Sequence, residues 1–201
     1  MSKILISGYY GFANAGDEAM LTAIIESLRQ VEKNVELTVL SGNPEDTAAK
    51  HQVCSVYRFN PLGIIRAMKD SELIISGGGS LLQDVTSKRS LLYYLSIIGL
   101  GKFFGKKVML FAQGIGPIRA KWARKLTSLV CNEADLITVR DSESAAELIE
   151  MGVKPEKITV TADSVLSLNP VTKECGQYLL QEAGVDLTKP VIGISVRAWS
   201  G

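Results

Sequence analysis

Four segments of the sequence contain side chains that bind ligands or transfer protons, three of them together with glycine, and each follows a short apolar run. The first, residues 8–19, reads Gly-Tyr-Tyr-Gly-Phe-Ala-Asn-Ala-Gly-Asp-Glu-Ala. Its glycines let a ligand approach the backbone, and N–H groups at a helix start bind anions or hydroxyls. The glycine spacing matches neither the dinucleotide-binding fingerprint nor a phosphate loop. The segment therefore predicts a polar-ligand site, with Asn14, Gly16, Asp17 and Glu18 as candidates.

The two acidic side chains of this segment have different interpretations. The helix macrodipole favours a carboxylate in a first helical turn, and this explains Glu18. Asp17 can cap the helix, or it can exchange a proton with a sugar hydroxyl from the edge of a ligand crevice, next to Asn14. The sequence leaves both roles of Asp17 open.

Three consecutive glycines distinguish the second segment. Residues 76–84 read Ser-Gly-Gly-Gly-Ser-Leu-Leu-Gln-Asp and follow an apolar run. Because glycine costs conformational entropy on folding, the run favours a site that needs bare backbone, with a tight strand-to-helix turn as the alternative. The hydroxyl, amide and carboxylate groups of the segment suit a polyhydroxylated ligand. The candidates are Gly78, Gly79, Ser80, Gln83 and Asp84.

The third and fourth segments add an amide and a guanidinium. Gln113 and Gly114 follow another apolar run, and the amide offers both a donor and an acceptor. Arg140 ends a further predicted strand, and its planar fork suits a carboxylate or a phosphate. A salt bridge to Asp141 or Glu143 is the alternative for Arg140.

Short β-branched runs alternate with stretches of helical periodicity, which is typical of a parallel sheet covered on both faces. The predicted strands are 4–7, 36–40, 73–76, 108–112, 136–139 and 158–161. The predicted helices are 17–30, 64–69, 91–104, 121–132 and 142–151. Right-handed crossovers then give an α/β domain with a Rossmann-like, doubly wound parallel sheet. Such sheets bind ligands beyond the carboxyl ends of their strands, where all four segments lie.

The alternation becomes irregular after residue 161. A short predicted helix, 177–183, precedes one more predicted strand, 191–196, and Arg197 follows that strand as Arg140 follows its own. A buried parallel strand normally leads into a covering helix, and none follows here. We therefore expect an N-terminal domain, residues 1–170, then a linker and the first strand of a second, truncated domain, 171–201. Alternatively, 191–196 completes the sheet of a single domain.

The composition argues against several functional classes. With 22 Lys and Arg against 21 Asp and Glu, the formal net charge is +1, so no excess charge attracts nucleic acid or an anionic membrane. Three separated cysteines without a CxxC motif favour reduced thiols and the cytoplasm over a disulfide or zinc framework. The single histidine, His51, lies in a polar stretch typical of a solvated surface, so we expect no metal site. No apolar run approaches the ~20 residues of a membrane span.

Together and in this order, the four segments resemble the polysaccharide pyruvyltransferase family. The resemblance rests on residues 8–19 and 76–84, on Ala-Gln-Gly-Ile-Gly-Pro at 112–117 and on Val-Arg-Asp at 139–141. It is strongest to the bacterial cell-wall type, which adds a pyruvyl ketal to a secondary cell-wall polysaccharide. Family members resemble two-domain glycosyltransferases of the B-type fold. The resemblance therefore implies that this chain is the N-terminal, acceptor-side half of such a fold.

The resemblance also implies a reaction: an enolpyruvyl unit passes from phosphoenolpyruvate to two hydroxyls of one sugar, and phosphate is released. The implied acceptor is an N-acetylmannosamine residue of a lipid-linked precursor at the inner face of the membrane, with no cofactor beyond the donor. Arg140 matches a donor-clamping position of the family, and Asp17 is the candidate proton-transfer group. The implied acceptor ligands are Asn14, Ser80, Gln83 and Gln113. The family's other donor ligands, including a histidine, belong to the second domain, so we expect these residues alone to turn over poorly.

Two other functions remain open. A sugar-nucleotide-dependent glycosyltransferase would share the fold and the glycine loops. The second is a non-catalytic carbohydrate-binding module. In this interpretation, the aliphatic, lysine-flanked segment 91–107 makes peripheral contact with lipid or a partner. A buried core helix with a basic end is the favoured explanation of the same segment, since lysines are favoured near a helix C-terminus.

Overall fold

Strands and helices alternate regularly along most of the chain. The computed structural model describes residues 2–85 and 87–194. By contacts, the chain divides into two compact units, residues 1–168 and 169–201. The strands described in the first unit are β1 (Lys3–Tyr10), β2 (Glu36–Ser41), β3 (Cys54–Tyr57), β4 (Leu73–Gly77), β5 (Lys107–Gln113), β6 (Leu136–Val139) and β7 (Ile158–Val160). Its helices are α1 (Ala15–Val31), α2 (Pro44–His51), α3 (Pro61–Asp70), α4 (Lys88–Phe103), α5 (Lys121–Glu133) and α6 (Ser142–Glu150).

These strands form one parallel sheet in the order β3-β2-β1-β4-β5-β6-β7. The chain moves from β1 outward to β2 and β3, and then returns to β4 on the other side of β1. The strand order therefore reverses between β1 and β4, which is the topological switch point of a doubly wound sheet. The predicted Rossmann-like α/β fold is confirmed.

The two faces of the sheet are buried in two separate apolar clusters. Leu5 and Ile74, which are neighbours on β1 and β4, belong to the cluster that also contains residues of α4. Ile6 and Ile75, the next residues along, belong to the cluster that contains residues of α1. Since successive strand residues point to opposite faces, continuous apolar runs are what a sheet covered on both sides requires.

One helix and one strand of the fold, α2 and β3, were not predicted from the sequence. Helix α2 buries only Thr47 among its own residues, so its sequence carries no apolar periodicity. Strand β3 has four residues at the sheet edge, and its first and last residues are exposed. All strands predicted up to residue 161 and all predicted helices are present in the structure. Their boundaries differ from the predicted ones by a few residues.

The second unit contains one helix, α7 (Lys173–Glu182), among its described residues. Thr172 caps it by accepting a hydrogen bond from the Cys175 N–H. The predicted strand 191–196 is wrong for residues 191–194, which belong to no strand; Ile192 and Ile194 are exposed there and have no strand neighbour. The rest of that predicted strand and Arg197 lie outside the described residues. Of the helices described, none is long and apolar enough to span a membrane.

Candidate functional site

The start of α1 is capped by Asn14. The Asn14 Oδ1 accepts hydrogen bonds from the N–H groups of Gly16 at 3.0 Å and Asp17 at 3.4 Å. Glu18 closes the preceding loop, because its Oε1 accepts the Gly11 N–H at 2.8 Å. The capping role considered for Asp17 is therefore wrong, since Asn14 already fills it. Asp17 lies in the first turn of α1, and its role in proton transfer stays a prediction.

The carboxylate of Asp17 lies against the glycine turn that follows β4. A Cβ atom built on Gly79 would be 3.1 Å from Asp17 Oδ1, and one on Gly78 would be 3.3 Å from the hydroxyl of Tyr10. Both glycines have positive φ angles, +73° at Gly78 and +74° at Gly79. The turn thus needs glycine for its conformation and for the close approach of α1.

Two buried phenols lie near this carboxylate. Tyr10 donates a hydrogen bond to the carbonyl of Gly77 at 2.6 Å, and the Tyr94 hydroxyl accepts one from Arg58 Nη2 at 3.3 Å. Burial, and then the negative charge of Asp17, raise the pKa of Tyr10 far above its ordinary value. Burial raises the pKa of Tyr94 to about 12, although Arg58 opposes this. Both phenols are therefore neutral at physiological pH and can act as hydrogen-bond donors.

Arg140 is held in place by three side chains, which lie in the loops after β4, β6 and β7. Its Nη2 donates to Ser80 Oγ at 3.2 Å, and its Nη1 pairs with Asp163 Oδ2 at 3.2 Å. Its Nε is 3.5 Å from Asp141 Oδ2, so the salt bridge considered from the sequence is present. The Arg140 side chain is still 35% exposed. A ligand anion would share this oriented guanidinium with two carboxylates.

Gly114 joins the glycine turn to Arg140. Its N–H donates to the Gly79 carbonyl at 3.1 Å. A Cβ at position 114 would lie 2.7 Å from Ser80 Oγ and 2.8 Å from Arg140 Nε, distances at which neighbouring atoms must move. The contacts therefore run without interruption from Asp17 through the glycine turn to Arg140, at the carboxyl edge of the sheet.

Two predicted ligand-binding side chains are engaged in holding the backbone. Gln113 is fully buried, and its Nε2 donates to the carbonyl and the hydroxyl of Ser76, each at 2.9 Å. The two carboxylate oxygens of Asp84 accept the N–H groups of Arg119 at 3.0 Å and Ala120 at 2.9 Å. Burial raises the pKa of Asp84, but these two hydrogen bonds outweigh it, so the pKa lies below its ordinary value. Gln113 therefore links β5 to β4, and Asp84 holds the backbone that leads into α5.

A sequence model of the polysaccharide pyruvyl transferase family matches residues 14–191 of this chain. The chain belongs to the polysaccharide pyruvyl transferase family. The matched range includes Asp17, the glycine turn and Arg140. No curated protein sequence matches the chain significantly.

Solved structures share the fold of this chain at low sequence identity. They include Anabaena Alr3699/HepE in complex with UDP and glucose, with a TM-score of 0.58 and 13% identity over 92% of this chain and 50% of that one. A glycosyltransferase from Rickettsia africae has a TM-score of 0.59 and 11% identity over 94% of this chain and 51% of its own. UDP-GlcNAc 2-epimerase from Neisseria meningitidis, bound to UDP-GlcNAc, has a TM-score of 0.54 and 13% identity over 90% and 50%. The chain spans about half the length of these structures, and the similarity establishes the fold.

The single histidine of the chain is more buried than its sequence context indicates. The His51 side chain is 10% exposed, and its Nε2 lies 3.7 Å from Glu18 Oε2. The expectation of a solvated surface histidine is therefore wrong, because α2 packs His51 against the start of α1. Within the described ranges, no group of three His, Cys, Asp or Glu side chains could hold a metal ion.

Two charged residues near the candidate site were not predicted from the sequence. Asp163 follows β7 and pairs with Arg140, and its position after a predicted strand was the available signal. Arg58 follows β3, is 4% exposed, and has five aromatic rings within 6 Å of its guanidinium carbon. The rings belong to Tyr9, Phe12, Phe59, Tyr93 and Tyr94. Since β3 was not predicted, nothing indicated that Arg58 ends a strand.

A cavity of about 400 Å³ lies beside the ion pair of Arg140. Residues after β7, including Asp163 and Ser164, line it together with Ala112 and Thr138 at the ends of β5 and β6. This volume falls in the range of small-molecule sites. Arg140 itself does not line the cavity, which adjoins its ion-pair partner Asp163 instead.

Proposed function

We propose that the full-length protein transfers an enolpyruvyl unit from phosphoenolpyruvate to a sugar of a lipid-linked cell-wall polysaccharide precursor, on the cytoplasmic face of the membrane. Membership of the family supports a polysaccharide-modifying transferase. The observation that carries the proposal is the unbroken contact from the Asp17 carboxylate through the glycine turn to the Arg140 guanidinium. The proposed proton-transfer group and the proposed anion-binding group would thereby act at one edge of the sheet.

Arg140 is the proposed donor-binding residue of this half of the fold. Phosphoenolpyruvate carries a carboxylate and a phosphate, which a guanidinium binds through charge-assisted hydrogen bonds. Asp163 and Asp141 fix the orientation of Arg140, and its exposed part leaves N–H groups for the donor. Pre-orientation of this kind reduces the entropy lost when a ligand binds.

Asp17 is the proposed proton-transfer group. Formation of the ketal makes two C–O bonds between the acceptor hydroxyls and the enol carbon, and breaks the C–O bond to phosphate. One hydroxyl proton ends on the methylene carbon, which becomes a methyl group, and the other leaves with phosphate. A carboxylate next to the reacting hydroxyl can take up and return such a proton. Tyr10 and Tyr94, which are neutral, do not compete as bases.

The acceptor sugar, proposed to be an N-acetylmannosamine residue, would lie between these two groups. Asn14, Ser80 and Gln83 are near it on the α1 and β4 loops. Ser80 already contacts Arg140, so a sugar hydroxyl bound there would be adjacent to the donor. The Oε1 atom of the Gln113 amide has no hydrogen-bond partner among the described residues. Because Gln113 is fully buried, that atom would not contact the acceptor.

A donor-exchange assay tests the proposed function. The full-length protein is incubated with a lipid-linked amino-sugar acceptor and either phosphoenolpyruvate or a set of nucleotide sugars. We expect phosphate release and a pyruvylated acceptor with phosphoenolpyruvate only. The structural neighbours that bind UDP or UDP sugars make a sugar-nucleotide glycosyltransferase the alternative. Glycosyl transfer from a nucleotide sugar, without pyruvylation, would establish that alternative and reject ours.

A further inference from the structure

The guanidinium of Arg58 is buried without a carboxylate partner. The residue is 4% exposed, and within the described ranges it forms no ion pair. Its nearest ring is that of Tyr93, with the guanidinium carbon 4.4 Å from the ring centroid. Ring faces offset part of the cost of burying a cation, but a buried charge normally also has an anionic partner.

Three polar atoms in this environment are buried and make no hydrogen bond of standard geometry, although the Tyr93 hydroxyl interacts with the neighbouring Arg58 guanidinium. They are Arg58 Nε, Arg58 Nη1 and the hydroxyl of Tyr93. The third guanidinium nitrogen, Nη2, donates to the Tyr94 hydroxyl at 3.3 Å. Buried polar atoms are nearly always hydrogen-bonded, so a cluster of unsatisfied donors around one cation calls for an acceptor. A group with several anionic oxygens would supply acceptors for both guanidinium nitrogens, Nε and Nη1.

Arg58 and Tyr93 line an apolar groove of about 300 Å³ between α3 and α4. The apolar side chains that line it include Phe59, Ile64, Ile65, Ile97 and Leu100. This is at the small end of the volumes that ligands occupy. The groove therefore combines an aliphatic and aromatic wall with a buried positive charge, and an occupant must match both.

We propose that this groove binds a prenyl phosphate group, with the phosphate at Arg58 and Tyr93 and the apolar chain along α3 and α4. The inference rests on the proposed function, in which the acceptor sugar is attached to lipid through phosphate. A free inorganic anion would leave the apolar wall unused, and a neutral alcohol would leave the cation and donors unpaired. Only a molecule with both parts satisfies the groove.

The groove is connected to the candidate catalytic residues. Tyr94 accepts a hydrogen bond from Arg58, and the charge of Asp17 acts on the same phenol. A phosphate at Arg58 would therefore hold its attached sugar on the side of Asp17. The groove would position the lipid-linked acceptor, while Arg140 binds the donor.

Binding measurements with the full-length protein test the groove. Isothermal titration would compare geranyl phosphate, geraniol and inorganic phosphate. We expect geranyl phosphate to bind at least about tenfold more tightly than either of the others, because each lacks half of the contacts. If geraniol binds as tightly as geranyl phosphate, the phosphate does not bind at Arg58. If inorganic phosphate binds as tightly as geranyl phosphate, the apolar groove does not contribute to binding.

Variants locate the site. Arg58→Gln should weaken binding of geranyl phosphate about tenfold or more, since a charge-assisted contact is lost. Leu100→Gln, at an exposed groove position, should weaken the chain contact without loss of folding. Arg66→Gln is the matched control, because Arg66 is exposed on α3 and does not line this groove. Unchanged affinity in both groove variants, with thermal melts that show folded protein, would overturn the proposal.

Two further results separate this inference from the proposed function. Displacement of geranyl phosphate by phosphoenolpyruvate would make the groove a donor site and reject the inference. If wild-type protein pyruvylates a lipid-free sugar but does not bind geranyl phosphate, only the inference fails. If it binds geranyl phosphate through Arg58 but releases no phosphate from phosphoenolpyruvate, the groove stands and the proposed function fails.

Discussion

Asp17 Oδ1 lies so close to Gly79 that a Cβ atom there would come within 3.1 Å of it. The contact joins the first turn of α1 to the turn after β4, across the switch point of the sheet. Ligands of doubly wound sheets bind at this switch point. The relationship places a carboxylate where the fold itself makes a crevice, and the predictions below follow from it.

Asp17→Asn separates catalysis from stability. Because Asn14 caps α1, the substitution should leave the melting temperature close to that of the wild type. Loss of a general acid–base group should lower kcat by about 10²–10⁴-fold, with little change in KM. Steady-state kinetics and thermal melts measure both effects. Normal turnover in Asp17→Asn would contradict the assignment.

Asn14→Ala is the complementary substitution at the same helix end. Removal of the cap should cost about 1 kcal/mol of stability, because the N–H groups of Gly16 and Asp17 lose their acceptor. Denaturant unfolding measures this loss. An unchanged free energy of unfolding would mean that another group caps α1.

Gly79→Ala should reduce turnover by displacing Asp17. The position has a φ of +74°, so an alanine is strained by about 1–2 kcal/mol, and its Cβ contacts the carboxylate. Gly105→Ala is a matched control, with a φ of +70° and no atom within 4 Å of the added Cβ. Both variants should lose similar stability, and only Gly79→Ala should lose activity. Equal activity in the two variants would exclude a role for the contact.

Arg140→Ala should raise the KM for phosphoenolpyruvate about tenfold or more, since a charge-assisted contact with the donor is lost. Gly114→Ala should have a smaller effect in the same direction, because its Cβ would push against Arg140 Nε. Arg119→Ala, at an exposed position, serves as the control. Donor titrations measure all three. An unchanged KM in Arg140→Ala would require another donor-binding residue.

Asp135 should contribute to stability in a pH-dependent manner. Burial raises its pKa, but Lys102, the Val108 N–H and Lys107 outweigh burial and lower it to about 2. Because the folded-state pKa lies below the ordinary value of 3.8, the contribution is complete above about pH 4 and disappears as the pH falls toward 2. Asp135→Asn should therefore lose about 1 kcal/mol at pH 7. Unfolding measured at several pH values should show the difference from wild type shrinking below pH 4, and a constant difference would contradict the interpretation.

How well each strand or helix could be predicted depends on how much of it is buried. Strands β1 and β4 are buried on both faces, so their apolar runs are continuous and recognisable. Strand β3 is a half-exposed edge strand, and α2 is mostly polar, so neither has the periodicity that prediction needs. Their remaining signals were local, such as Asn43 and Pro44 at the start of α2.

The candidate site was predictable where it depends on strand ends, and not where it depends on side-chain direction. Asp17 and Arg140 follow strands that were predicted, and parallel strands bring their carboxyl ends to one edge. Gln113 follows such a strand too, but the register of β5 shifts between Leu110 and Gln113 and turns the amide into the core. Arg58 could not be found, because the strand before it was not recognised.

The most direct test follows labelled carbon and phosphate in one reaction. The full-length protein is supplied with ¹³C-labelled phosphoenolpyruvate and the lipid-linked amino-sugar acceptor, and products are followed by ¹³C and ³¹P NMR. We predict equal amounts of a methyl-bearing ketal and inorganic phosphate with the wild type, and strong loss of both in Asp17→Asn and Arg140→Ala. Ketal formation that continues undiminished in both variants, or label that never reaches the acceptor, would contradict the account.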